Sequence, residues 1–283
     1  MSRDTDTFDA ARYAMSNGVP MTIPPSPQRP MQTTTQCNTV TYDAIPPQGC
    51  RHHRAEGWCD VDGIIFSSIR EGTATFLFVM ISLAVASNDL YDRGFLAIAD
   101  AFAYAAVSFT FGGALCNPAL SLAAAVGGKL RLKAMLAHIV SQLAGALLGA
   151  VCVRWGLLLD VDFALPFLVT GSPWWVGLLA EFLFTYAISL FVLTAIFADW
   201  SGIRPVLVGL GLGAAVFATG PITTGSLNPW KALSAAIVLA KFEENCWIFF
   251  VIPFAGGLVA GIMSRILHIQ HLHMVVREGI KAT

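Results

Sequence analysis

Four polar residues recur at one interval in an otherwise apolar chain. Glu71 and Glu181 lie 110 positions apart, and Asn117 and Asn228 lie 111 apart. The chemistry this set offers is hydrogen bonding rather than bond making. An asparagine amide brings two N–H donors and a carbonyl acceptor, and a carboxylate brings up to four acceptor sites. A carboxylate at membrane depth either relays protons or accepts hydrogen bonds from backbone that no water reaches. Glu71 and Glu181 read as structural acceptors in preference to a relay, each placed to satisfy non-helical backbone near an asparagine. Other candidate chemistry is thin. Cys50-Arg51-His52-His53 with Cys59 holds zinc-binding residue types, but its spacing fits no standard site. His268, His271 and His273 read as part of a solvated extension before a pH or metal sensor. No enzyme activity, cofactor or metal is expected.

The elements that must position these residues follow from the stretches around the asparagines. The first is Gly112-Gly113-Ala114-Leu115-Cys116-Asn117-Pro118-Ala119-Leu120, and the second is Thr224-Gly225-Ser226-Leu227-Asn228-Pro229-Trp230-Lys231-Ala232. Asparagine suits an N-cap and proline the first helical position, so each Asn-Pro pair predicts a helix start. The helices predicted, 118–126 and 229–240, are too short to cross a bilayer, which takes about 20 apolar residues. They read as re-entrant half-helices.

Composition places the chain in a membrane. It is 55% hydrophobic and 12% charged, against roughly 25% charged in a soluble domain. Its net charge of −1 and lack of a basic patch exclude nucleic acid as a partner. No apolar stretch precedes the first span, so a cleavable signal peptide is not expected. The six cysteines are scattered and suggest no disulfide framework. Residues 1–63 read as a disordered cytoplasmic tail. Its proline-rich Ile23-Pro24-Pro25-Ser26-Pro27 stretch reads as solvated before it reads as an SH3-type docking segment.

Six spans are predicted, over 64–87, 94–111, 133–155, 174–197, 204–219 and 246–267. The channel-like domain is 64–268, with one repeat at 64–156 and a second at 174–268; 269–283 is a cytoplasmic C-terminal tail. Three spans per repeat is an odd number, so the second repeat enters the membrane inverted, as in channels and transporters. The fold class is an all-α membrane protein with six transmembrane helices and two re-entrant half-helices. Of the 17 Lys and Arg residues, all but Arg93, Arg154, Lys231 and Lys241 fall on the side of the termini. Setting aside the remote Arg3, Arg12 and Arg29 leaves ten to four, which still predicts cytoplasmic termini.

The two Asn-Pro boxes, the glutamate upstream of each, and Trp247-Ile248-Phe249-Phe250 leading to Pro253 resemble the aquaporin (major intrinsic protein) family over residues 64–267. The first box is the family's Asn-Pro-Ala (Asn117, Pro118, Ala119). The second departs as Asn228-Pro229-Trp230, like unorthodox members. The resemblance implies a passive channel for water and small uncharged solutes such as glycerol, a homotetramer in the lipid bilayer, and structural glutamates. It places Lys231 where the family has its constriction arginine. The other constriction positions then fall on Ala97, Val216 and Gly225. With these small or apolar residues, the expectation is a wide, weakly polar constriction and a cation-repelling Lys231 that orients solutes less tightly than an arginine. Trp230 is expected to pack on a neighbouring helix rather than narrow the pore. Cys116, beside Asn117, is a candidate mercurial site or a buried small hydrophobe. Two other functions fit parts of the pattern: a coupled transporter using Glu71, Glu181 and Asp100, and a non-conducting structural or adhesion protein.

Overall fold

The computed structural model describes residues 58–282 except 88–92, 161–164, 170, 199 and 201, and gives the backbone alone for 58–62, 93 and 268–282. Eight α-helices follow in order: α1 (Trp58–Ala86), α2 (Arg93–Thr110), α3 (Pro118–Val126), α4 (Leu132–Val151), α5 (Trp174–Phe197), α6 (Arg204–Thr223), α7 (Pro229–Leu239) and α8 (Trp247–Ala282). A π-helical turn, Cys152–Gly156, prolongs α4. The described residues include no β-strand. The proline-rich stretch and Cys50-Arg51-His52-His53 lie outside the described residues.

Five helical stretches are long and apolar enough to cross a membrane: Gly63–Ala86, Leu132–Gly156, Trp174–Phe197, Arg204–Thr223 and Trp247–Leu267. The sixth span is α2. Its 18 residues sit at the short end of the spanning range, about 17–25, and include Asp100. The half-helices α3 and α7 have 9 and 11 residues. At about 1.5 Å per residue each reaches roughly halfway through the hydrocarbon layer. The chain is therefore a multi-pass membrane protein of six spans and two half-helices in an inverted repeat.

Three boundaries differ from the sequence expectation. Helix α1 begins at Trp58, inside the stretch expected to be disordered tail. Helix α6 runs through Pro221 to Thr223, four residues past the expected span end at 219. A proline this close to a helix end removes one backbone donor without ending the helix, and Thr224 then caps it in the left-handed region (φ 63). Helix α8 continues past the expected span end at 267 to Ala282. Histidines and other polar residues interrupt the apolar run there, but no glycine or proline interrupts residues 262–278.

The repeat is visible in the packing. Helix α1 lies along α4, and α5 lies along α8 in the same way. The half-helix of each repeat packs on the last span of the other, α3 on α8 and α7 on α4, while α2 and α6 join the halves. Lipid supplies no hydrophobic drive between helices, so close approach through small residues takes its place. A Cβ on Gly145 would strike the Gly72 carbonyl, and one on Gly256 would sit 2.6 Å from the Phe182 carbonyl. Gly145 and Gly256 are repeat equivalents, as are Gly72 and Phe182. Gly145→Ala is expected to cost about 1–3 kcal/mol by overpacking. Gly202→Ala, with open space around it, should stay within about 0.5 kcal/mol of the parent. Thermal unfolding in detergent micelles reads both.

Candidate functional site

Each half-helix begins as its sequence predicts. Asn117 is extended (φ −153), and its Oδ1 accepts from Ala119 N at 2.9 Å, with Pro118 next in the chain. Asn228 (φ −143) accepts from Trp230 N at 3.1 Å and Lys231 N at 3.4 Å, followed by Pro229. The amide nitrogens point across the repeat. Asn117 Nδ2 donates to Leu227 O at 2.9 Å, and Asn228 Nδ2 donates to Cys116 O at 2.8 Å. The two helix tips therefore meet, each tied to the loop that leads into the other. One N–H of each amide is used in this way, which leaves a second donor on each.

The accepting carbonyls belong to strained residues. Cys116 (φ 53) and Leu227 (φ 51) are both left-handed without being glycine, a conformation that costs of order 1–2 kcal/mol. They are repeat equivalents, and the same unusual turn precedes both asparagines. The carboxylates hold these turns. Glu71 accepts from Leu115 N at 2.8 Å, Cys116 N at 3.1 Å and Gln142 Nε2 at 2.8 Å. Gln142 Nε2 also lies 3.0 Å from Ser121 Oγ, which ties α3 into the same network. Glu181 Oε2 accepts from Leu227 N at 3.0 Å. Both glutamates are fully buried, and in the loops they serve they bond backbone N–H groups.

Between the tips lies a small cavity lined by Phe78, Tyr104, Asn117, Leu120, Ile188, Leu212, Ser226 and Asn228. It leaves ≈ 10 Å³ for the centre of a water molecule, about enough for one water. Phe78 and Tyr104 meet edge to face at 5.9 Å. The wall is apolar except for the two amides, the Ser226 hydroxyl and the tyrosine. Sequence reasoning missed the apolar liners, although the repeat marks two of them. Phe78 and Ile188 each follow a glutamate by seven residues, two helical turns along the same face.

The four expected constriction positions are all buried. Ala97 is 2% exposed, Val216 1% and Lys231 5%. A Cβ on Gly225 would lie 2.8 Å from Val216 Cγ1, so Gly225 and Val216 are in contact. Lys231 is not the uncompensated cation expected from its place: its Nζ lies 2.7 Å from Asp100 Oδ2 on α2. Lys231 sits in the first turn of α7, where the helix dipole is positive and disfavours a cation. Burial adds to that cost, and Asp100 offsets both. A readable clue existed, since two opposite charges in apolar segments are forced toward each other at membrane depth.

Trp230 packs between helices. Its indole N–H donates to Ile139 O on α4 at 2.8 Å, and its ring meets Phe254 of α8 edge to face at 5.9 Å. The Cys116 side chain is fully buried, and its carbonyl accepts from Asn228 Nδ2. Among the described residues no cluster of His, Cys, Asp or Glu could hold a metal ion. Replacing Glu71 with alanine orphans two buried backbone donors and removes one of the two partners of Gln142 Nε2. The expected loss is about 2–5 kcal/mol of stability, measured by thermal unfolding in micelles. An unchanged melting temperature would show that the loop does not depend on the carboxylate.

The profile of the family described as Major intrinsic protein matches residues 64–264. Among similar curated proteins, the probable aquaporin TIP-type RB7-18C of Nicotiana tabacum is 28% identical over 221 residues, covering 71% of this chain and 86% of the relative. Aquaporin TIP2-2 of Zea mays is 31% identical over 216 residues, covering 69% and 84%. Among solved structures, that of the aquaglyceroporin from Plasmodium falciparum superposes with a TM-score of 0.62 at 21% identity, covering 70% of this chain and 94% of the other. That likeness speaks to the fold, and the profile and the curated relatives speak to descent. On this footing the chain belongs to the major intrinsic protein family.

Proposed function

We propose that the chain is a passive transmembrane channel for water and small uncharged solutes such as glycerol. The observation that carries this reading is the cavity between the half-helix tips: it has room for about one water, is mostly apolar-walled, and has Asn117 and Asn228 in its lining. Each amide retains an N–H donor that can take the oxygen of a passing molecule. Phe78, Leu120, Ile188 and Leu212 give that molecule nothing else to hold, so it moves on after one or two hydrogen bonds. The two helix N-termini converge on the same point with partial positive charge, which disfavours cations, hydronium included. The aquaporin names of the relatives support water as a permeant.

The glutamates bear on the coupled-transporter alternative. Glu71 and Glu181 are engaged with backbone N–H groups, and Asp100 with Lys231. Carboxylates so engaged act as supports rather than as sites that load and release an ion. We place the narrowest point at the Phe78–Tyr104 pair, with the small residues Ala97, Val216 and Gly225 leaving more room beside Lys231. The arrangement of one pore per subunit in a homotetramer, with both termini cytoplasmic, completes the proposal.

Proteoliposomes carrying the protein should shrink faster than empty vesicles under osmotic shock, measured by stopped-flow light scattering, and should carry no current. Shrinkage at the rate of empty vesicles would favour the non-conducting alternative. Phe78→Ala should raise glycerol flux severalfold relative to water flux, because it removes an aromatic wall from the narrow point. A ratio that does not move would place the limiting barrier elsewhere.

A further inference from the structure

Asp100 has two carboxylate oxygens and only one of them is used. Oδ2 takes Lys231 Nζ, while Oδ1 is buried and has no partner among the described residues. Asp100 is 1% exposed. A buried carboxylate oxygen left without a donor is costly, and such groups in native proteins call for an occupant.

The position of the pair says what the occupant is. Asp100 lies one turn from Tyr104 on the same face of α2, and Tyr104 lines the cavity. Lys231 lies one turn from Asn228 on α7, and Asn228 lines the same cavity. The ion pair therefore bridges α2 and α7 one helical turn beyond the narrow point, at the level of Ala97. Lys231 Nζ makes one bond, to Asp100, and an ammonium has three donors. The pair thus sets an unused acceptor beside unused donors, one turn from two residues of the cavity wall.

We propose that Asp100 is a specificity-determining residue, and that its Oδ1 accepts a hydrogen bond from the permeating molecule while Lys231 donates one. The solutes favoured are small neutral molecules with donor and acceptor groups side by side, of which a vicinal diol is the simplest. Water satisfies the pair too, but a diol engages both halves at once. This inference rests on the channel reading.

Asp100→Asn tests it. Lys231 would keep the amide oxygen, and the amide N–H2 would then stand where Oδ1 stood, turning an acceptor into a donor. The glycerol-to-water permeability ratio in proteoliposomes should fall about tenfold, the effect of losing one charge-assisted hydrogen bond. Because the ratio is taken on the same vesicles, a variant that merely folds poorly lowers both fluxes and leaves it unchanged. If Asp100→Asn does not fold, the double variant Asp100→Leu with Lys231→Met removes both charges at similar volume, a change that buried pairs often tolerate. It should show the same fall. A ratio within twofold of the parent in a folded variant overturns the proposal and leaves Asp100 as a structural counter-ion. Parent vesicles that conduct no water overturn the channel reading instead.

Discussion

The fold depends on satisfying backbone that is neither helical nor wet. The segments leading to Asn117 and Asn228 run to the middle of the membrane without a helical hydrogen-bond ladder, where an unmet N–H or C=O costs several kcal/mol. Glu71 and Glu181 meet the N–H groups, and the opposing asparagines meet the carbonyls. A carboxylate suits the first task because both its oxygens accept and neither must donate. The second task has a stronger consequence. The Cys116 carbonyl is met from the second repeat and the Leu227 carbonyl from the first, so each half depends on the other. The strain at these two residues is held in place by bonds on both sides of the turn.

That arrangement requires the spans to bring the loops close, and small residues permit it. Gly145 against Gly72 and Gly256 against Phe182 are the same contact made twice. Each fixes the glutamate-bearing helix of its repeat against the repeat's last span, and so fixes the depth at which the carboxylate meets its loop. In the first half Gln142, on that last span, reinforces Glu71 and links it to Ser121 on the half-helix. The corresponding position in the second half is Pro253, which has no side-chain donor, and Glu181 is bonded more sparsely.

Much of this was legible in the sequence because it rests on local rules. Asn-Pro sets where α3 and α7 start, Gly127 marks the end of α3, and the apolar run from Trp174 to Phe197 coincides with α5. The 110-residue interval disclosed the repeat and with it the glutamates' role. What was not legible depended on pairing at long range or on stops that were not stops. The fifth span was expected to stop at 219, yet the helix runs on through Pro221, which only lacks a donor. The residues after Leu267 mix histidines and charges with apolar side chains and keep their helix. Asp100 and Lys231 are 131 positions apart, and although two opposite charges in apolar segments hint at a partnership, the fold is what brings them to 2.7 Å.

The scaffold and the lumen obey different symmetries. In the scaffold, equivalent positions carry equivalent duties: Glu71 and Glu181, Cys116 and Leu227, Asn117 and Asn228, Gly145 and Gly256. Two positions past the capping asparagine the halves part, Ala119 against Trp230, and three past it Leu120 stands against Lys231. Leu120 lines the cavity as an apolar wall, while its equivalent Lys231 is a cation held by Asp100. Trp230 fits because the Ile139 carbonyl takes its indole N–H, so the ring fixes α7 to α4 instead of filling the space between the tips. A duplicated frame tolerates such divergence only where the substituted side chains do not carry the loop hydrogen bonds. The positions just past each Asn-Pro meet that condition, and polarity there differs between the two ends of the path while the frame stays the same.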